Sequence, residues 1–271
     1  MPSVNFFHFL FCTAFQFGLK HGILFRACMI SDDKPKIYYS FSESHSGRHA
    51  GEESAGSAPW GYPSHPGGVE PGIRFGAYEL IQIALAVVVL TISFAIVFSR
   101  SALLNNGDFW SFRMSAFLAA LPVAFVAVIT GFMLHELAHK FTAMHYGMWS
   151  EFRASGSGLI MTFVLSLIAG IVFAAPGAVV IFGRPNKKEN GIISAAGPLT
   201  NIGIAGIAVL AMPFAGSLYF VFYCLAFINA FLALFNLLPI PPLDGSKVAK
   251  WNVGVYVLML AVSGFMVYTL W

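Results

Sequence analysis

The stretch His135-Glu136-Leu137-Ala138-His139 directly follows residues 115–134, a run without a single charged side chain. That run makes about 30 Å of α-helix, which matches the hydrocarbon thickness of a bilayer. Two histidines four residues apart share one helix face, so both rings can reach a single metal ion and Glu136 beside them can accept a proton. Ionisable side chains are costly within a membrane helix, so the stretch indicates a metal site in a membrane protein.

A reactive metal site needs a third protein ligand and one open position. His145 extends the histidine spacing to that of HExxHxxGxxH, but Thr142 stands where that pattern has a helix-breaking glycine. On an unbroken helix His145 points about 100° away from the other rings, so we expect it at the membrane interface. Asp244 is the better candidate, because the prolines within residues 236–245 end a helix just before it. The alternative for Asp244 is a solvated turn beside the membrane.

Three short motifs, in this order, resemble the site-2 proteases, the intramembrane zinc metalloproteases. They are the HELAH stretch at 135–139, a Gly-Pro-x-x-Asn pattern ending at Asn201, and Asn-Leu-Leu-Pro from Asn236 followed by Leu-Asp-Gly around Asp244. The likeness covers roughly residues 80–250 and is far more specific than the first motif alone. It corresponds to the archaeal and bacterial members that carry no appended soluble domain.

The resemblance implies a zinc site and a role for each residue around it. It implies one zinc ion per chain, with these ligands: His135, His139 and Asp244. It also implies that Glu136 is the general base and that Asn201 and Asn236 bind substrate backbone near the metal. From the residues alone, each asparagine is also explained as a hydrogen bond between helices.

The composition of the chain is that of a membrane protein. Hydrophobic residues make up 58% of it and charged residues 10%, with a mean hydropathy of +0.76, so a soluble surface could not be built. Uncharged runs of spanning length are found at 80–99, 114–134, 155–183, 191–243 and 251–271. The fourth is long enough for two spans, with Pro213 and Gly216 at the bend. We therefore expect an all-α polytopic membrane protein with five or six transmembrane helices.

The run 155–183 has two interpretations. Arg153 and Arg184 flank it, and basic flanks favour the cytoplasmic side, so it either crosses as a simple span or enters and returns on the same side. The resemblance implies the second, with a re-entrant or strand-like segment between the zinc helix and the next core helix. The same rule predicts an active site near the cytoplasmic face of the cell membrane, with Lys140 snorkelling to the interface.

Residues 1–78 differ in composition from the rest. From residue 31 they are rich in serine, glycine, proline and charge, so we expect a largely disordered N-terminal extension before a multi-span metalloprotease domain at 79–271. Residues 1–28 lack the pattern of a signal peptide. We interpret them as an upstream extension that is not part of the native product, with Met29 as the start; a marginal extra helix is the alternative.

Two functions remain in competition. The resemblance implies an intramembrane endopeptidase that hydrolyses peptide bonds of transmembrane-helix substrates. The alternative is a membrane metal-ion transporter, in which histidines and carboxylates pass ions along a path. The predicted ligands cluster at one depth, which favours hydrolysis. The expected partners are a membrane-protein substrate helix and the lipid bilayer, with no nucleic acid, and the sequence leaves the oligomeric state open.

Overall fold

The structure is a computed structural model that describes residues 75–100, 113–172 and 176–271. The expectations for the N-terminal extension and the starting methionine therefore concern residues outside it. The described residues are mostly helical. In chain order their elements are α1 (Ala77–Ser99), α2 (Met114–Val128), a π-helical turn (Ile129–Met133), α3 (Leu134–His145), β1 (Trp149–Ala154), α4 (Gly156–Ile168), β2 (Gly177–Phe182), α5 (Lys187–Ala211), α6 (Tyr219–Asn236), α7 (Asp244–Trp251) and α8 (Val253–Leu270).

Five helical segments of the described residues are long and apolar enough to cross a membrane. They are Ala77–Ser99, Met114–His145, Lys187–Phe214, Gly216–Asn236 and Val253–Leu270. The predicted all-α polytopic fold is thus confirmed. The predicted bend between the third and fourth spans is also present, as two short 3₁₀ turns around Pro213 and Gly216. Gly216 has a φ of 50°, which suits glycine.

The described part of the run 155–183, which leaves out residues 173–175, folds as a short helix and a strand. α4 ends at Ile168, well short of the roughly 20 residues that a spanning helix needs. β2 then pairs with β1 in an antiparallel register that runs from Trp149 opposite Phe182 to Ala154 opposite Gly177. We call β1 and β2 together the strand pair. The strand-like interpretation of this region is therefore the correct one.

α5 lies at the centre of the described bundle and contacts α3, α6 and α7. It begins with a capping box, in which Asn186 and Glu189 exchange hydrogen bonds through their side chains and backbone amides. Its Ile193 packs with Ala143 of α3, and its Ala195 packs with Val248 of α7. The helix with the two histidines and the helix with Asp244 are thus both held against α5.

One sequence prediction about α3 is wrong. Lys140 does not snorkel to an interface, because its side chain is fully buried. Its ammonium group donates to both carboxylate oxygens of Glu79, at 2.8 and 2.9 Å. A buried lysine requires such a partner, and the partner comes from a helix more than sixty residues earlier in the chain.

Candidate metal centre

The two histidine rings converge as their spacing predicts. Both lie on one face of α3 and both are buried. Their Nε2 atoms are 3.1 Å apart, and the rings are nearly perpendicular at 81°. His145, by contrast, is the exposed last residue of the same unbroken helix and takes no part in this cluster. Two nitrogen donors therefore face one point.

Asp244 brings the third donor to the same point. It is the first residue of α7, and its Oδ2 lies 3.4 Å from Nε2 of His135 and 3.1 Å from Nε2 of His139. Ligand atoms about 2.0–2.1 Å from a tetrahedral ion lie roughly 3.3 Å from one another, so these three fit a single zinc ion. No other group of three such side chains is found in the part of the chain that the structure describes.

Glycines make this convergence sterically feasible. A Cβ atom on Gly197 of α5 would collide with the Nε2 atoms of both His135 and His139. A Cβ atom on Gly245 would collide with the carbonyl group of Leu237, across the turn that precedes α7. The glycines of the Gly-Pro-x-x-Asn and Leu-Asp-Gly motifs thus leave room for the rings and for the approach of Asp244.

Outer hydrogen bonds orient both rings. Nδ1 of His139 lies 2.7 Å from the carbonyl oxygen of Ile193, to which it donates, so its Nε2 is left with a lone pair facing the centre. The side-chain amide of Asn201 lies 3.2 Å from Nδ1 of His135. A histidine that binds metal through Nε2 carries its proton on Nδ1, so the oxygen of this amide must face the ring.

The remaining predicted residues, Glu136 and Asn236, form hydrogen bonds outside the group of three donors. Glu136 is half-buried, and its Oε2 accepts a hydrogen bond of 3.1 Å from the backbone N–H of Val179 in β2. Asn236 is the last residue of α6, and its amide donates to the carbonyl of Leu232 within that helix. The structure thus brings Asn201 to a metal-facing ring, whereas Asn236 is bonded to its own helix.

Sequence reasoning missed several groups around the site. The Ile193 carbonyl and the Val179 amide are backbone atoms, so no residue type could have identified them. Glu79 is the first residue of the predicted membrane domain at 79–271, and a carboxylate in the first turn of an apolar helix is a signal of a buried partner. Its actual partner, Lys140, could not be inferred without the fold.

Comparisons with known proteins connect the chain to a family of peptidases. The sequence model of Peptidase family M50 matches residues 211–255, which include Asn236 and Asp244. A protein of Methanocaldococcus jannaschii named "Putative zinc metalloprotease MJ0611" is 40% identical over 200 residues, which cover 72% of this chain and 96% of the relative. YwhC of Bacillus subtilis, which carries the same description, is 30% identical over 49% of this chain and 70% of its own length.

A second protein of Methanocaldococcus jannaschii, named "Zinc metalloprotease MJ0392", is 24% identical over 64% of this chain and 43% of its own length. No solved structure matches the chain. The similarity to the first relative extends over nearly all of that protein, and the three converging side chains of the present chain are of types that bind zinc. The chain therefore belongs to peptidase family M50, the site-2 protease family, and is a multi-pass membrane zinc metalloprotease.

Proposed function

We propose that this metalloprotease is an intramembrane endopeptidase, which hydrolyses peptide bonds within transmembrane-helix substrates. The observation that carries the proposal is the convergence of His135, His139 and Asp244 among helices of spanning length. All three side chains are largely buried within the bundle. A site built there is suited to a substrate that arrives through the bilayer.

We assign the zinc ion to His135, His139 and Asp244, with the fourth position left for chemistry. When bound, zinc supplies Lewis acidity that activates a water molecule and polarises a peptide carbonyl. Glu136 stands beside His135 on α3 but is bonded to β2 rather than to the three donors. In the proposed role its carboxylate accepts a proton from the attacking water and delivers it to the leaving amine.

The substrate must also present an extended backbone, because the carbonyls of a helix are engaged in its own hydrogen bonds. Substrates with glycine, proline or polar residues near the cleaved bond should therefore be preferred. We assign Asn201 and Asn236 to contacts with that backbone. An amide whose oxygen faces His135 directs its NH₂ group elsewhere, which leaves Asn201 a donor for a substrate carbonyl.

We further propose that the site opens toward the cytoplasmic face. Lys140 does not support this orientation, because its side chain is buried and does not reach a membrane interface. The support comes from basic residues that follow α3, that precede or begin α5, or that lie within the short helix α7. They are Arg153, Arg184, Lys187, Lys188, Lys247 and Lys250.

The competing function, metal-ion transport, would require ligands placed along a path. In the described residues the metal-binding side chains form one cluster at one position. Transport would also leave Glu136 without a purpose beside the donors. These observations favour proteolysis.

The decisive experiment compares Glu136→Gln with His145→Gln, a control at the exposed end of the same helix. Both purified variants should retain about one zinc per chain. In proteoliposomes, Glu136→Gln should lower cleavage of a model transmembrane substrate at least 100-fold, because the proton acceptor is lost. Cleavage of a soluble peptide but not of the membrane substrate would refute the intramembrane specificity, and an active Glu136→Gln variant would refute the assigned base.

A further inference from the structure

α3 carries two pairs of functional side chains on two faces. His135 and His139 face α5 and Asp244, whereas Glu136 and Lys140, also four residues apart, face the strand pair. Residues at this spacing lie one above the other along a helix. The strand pair is therefore bonded to the metal helix at two successive levels, one of which is the proposed base.

At the level of Lys140, the contact is a buried ion pair between Lys140 and Glu79. The exposed fractions of the two side chains are 0% and 1%. The Lys140 ammonium also donates to the carbonyl of Ser150 in β1, at 2.6 Å, and the Ser150 hydroxyl donates to the carbonyl of Lys140. The ion pair thus joins α1, α3 and β1 at one point.

The same carboxylate also holds the outer edge of β1. Oε1 of Glu79 accepts the backbone N–H of Phe152 at 2.9 Å, and one turn along α1 the side-chain oxygen of Gln82 accepts the N–H of Ala154 at 2.7 Å. Amides two apart on a strand point to the same side, so α1 closes this edge as a partner strand would. Hydrogen bonds of this kind determine the register of β1 along α1.

The opposite edge of the strand pair meets the proposed base. Phe152 stands directly across from Val179 in the sheet register, and the N–H of Val179 donates to Glu136. The amide of Phe152 points outward to Glu79, and that of Val179 points outward to Glu136. One cross-strand pair thus connects a carboxylate on α1 to the carboxylate beside the metal donors.

We propose that Glu79 and Lys140 are positioning residues that hold the strand pair in the register at which the Val179 N–H orients the Glu136 carboxylate. The inference rests on the role proposed above for Glu136. Apolar packing also holds the strands, because Phe152 and Val179 lie in a cluster with Ala86. Such packing is not directional, whereas hydrogen bonds to backbone amides specify a register.

The test uses three variants of the full chain. Glu79→Ala with Lys140→Met removes the pair without leaving a buried charge unpaired. Glu79→Gln keeps an oxygen that can accept from Phe152 and Lys140 but removes the negative charge. Glu151→Gln is the control on the same strand, where Glu151 bonds Arg153 and Trp149 of β1 itself. Each is measured for zinc content, for kcat and KM, and for amide hydrogen exchange of β1 and β2.

We expect the double variant to retain its zinc and to have a KM within about 3-fold of that of the parent. Its kcat should fall at least 10-fold, and the strand amides should exchange faster. Glu79→Gln should recover most of that kcat, and Glu151→Gln should match the parent. If the double variant does not fold, Glu79→Leu with Lys140→Met takes its place, because it also leaves no buried charge unpaired and fills more of the vacated space with apolar atoms.

Three results would overturn the proposal. An unchanged kcat would make the pair an anchor without effect on catalysis. A raised KM at constant kcat would indicate that the pair acts on substrate binding. Loss of zinc would indicate that the pair supports the metal-binding side chains. Hydrogen exchange needs no substrate, and kcat can also be measured on a soluble peptide, so failure of the intramembrane function would remain distinguishable from failure of this inference.

Discussion

Gly197 and Asn201 are one helical turn apart on α5, and both act on the histidine rings. Gly197 leaves the space that the Nε2 atoms occupy, and Asn201 contacts the other nitrogen of His135. Neither residue is one of the three donors. At the scale of single residues, therefore, the metal site depends on positions that a search for ligand types passes over.

Gly197→Ala should weaken zinc binding at least 10-fold, because the added methyl group occupies the position of the ring nitrogens. The matched control is Gly203→Ala on the same helix, where a Cβ atom meets nothing within 4 Å. That control should bind zinc normally and be slightly more stable, since alanine favours helix more than glycine does. Zinc affinity from titration with a competing chelator gives the comparison. Equal affinity in both variants would contradict the placement of α5 against the rings.

Asn201→Ala should lower zinc affinity about 10- to 100-fold, the usual cost of losing an outer partner of a metal-bound histidine. Thr200→Ala is the neighbouring control, because the Thr200 hydroxyl donates within its own helix to the carbonyl of Ala196. Affinity and KM should be measured on the same preparations. A raised KM with unchanged zinc affinity would assign Asn201 to substrate alone.

At the scale of elements, the candidate site is formed where two later parts of the chain come back into contact with α3. α7 returns after the turn that follows α6 and brings Asp244 to the rings. The strand pair returns on either side of α4 and brings a backbone amide to Glu136. The two returns meet different faces of one helix, so the donors and the proposed base can be disturbed separately.

Val179→Pro should disturb the proposed base, Glu136, without disturbing the three metal donors. Proline has no N–H, and the amide of Val179 points to Glu136 rather than into the sheet, which is where a strand tolerates proline. We expect kcat to fall about 10-fold with full zinc occupancy, because losing one oriented hydrogen bond costs roughly 1–2 kcal/mol. Val179→Ala retains the amide and should stay close to the parent. Loss of zinc from the proline variant would show that the strand pair also supports the donors.

At the scale of the whole molecule, stability and metal binding rest on different contacts. Apolar side chains form several separate clusters between the helices, including one that joins Phe227 of α6 to Val267 of α8. We therefore expect the described bundle to bury its apolar surface without the metal, in contrast to small zinc domains.

Removal of zinc by a chelator should abolish proteolysis but leave the helical content unchanged. Addition of zinc should restore activity without a refolding step. Far-ultraviolet circular dichroism and cleavage of a model substrate, followed on one sample through removal and return of the metal, provide the measurement. A cooperative loss of helix on chelation would contradict the separation of stability from metal binding.

What the sequence determined by itself was the membrane class, the spans and the spacing of the metal-binding motif. These follow from local properties: apolar length predicts a span, and a separation of four residues places two rings on one helix face. The prolines before Asp244 also made it the candidate for the third ligand, and the resemblance to site-2 proteases added Asn201 and Asn236. The strand-like segment remained one of two alternatives, because basic flanks do not specify secondary structure.

Only the tertiary structure decided the long-range partners. Lys140 pairs with Glu79, His139 with the carbonyl of Ile193, and Glu136 with the amide of Val179. The physical reason is that burial of a charge or of a ring nitrogen requires a partner but does not specify which one. That choice depends on which helices and strands meet. For Lys140 it reversed the expectation, from an interfacial cation to a buried one.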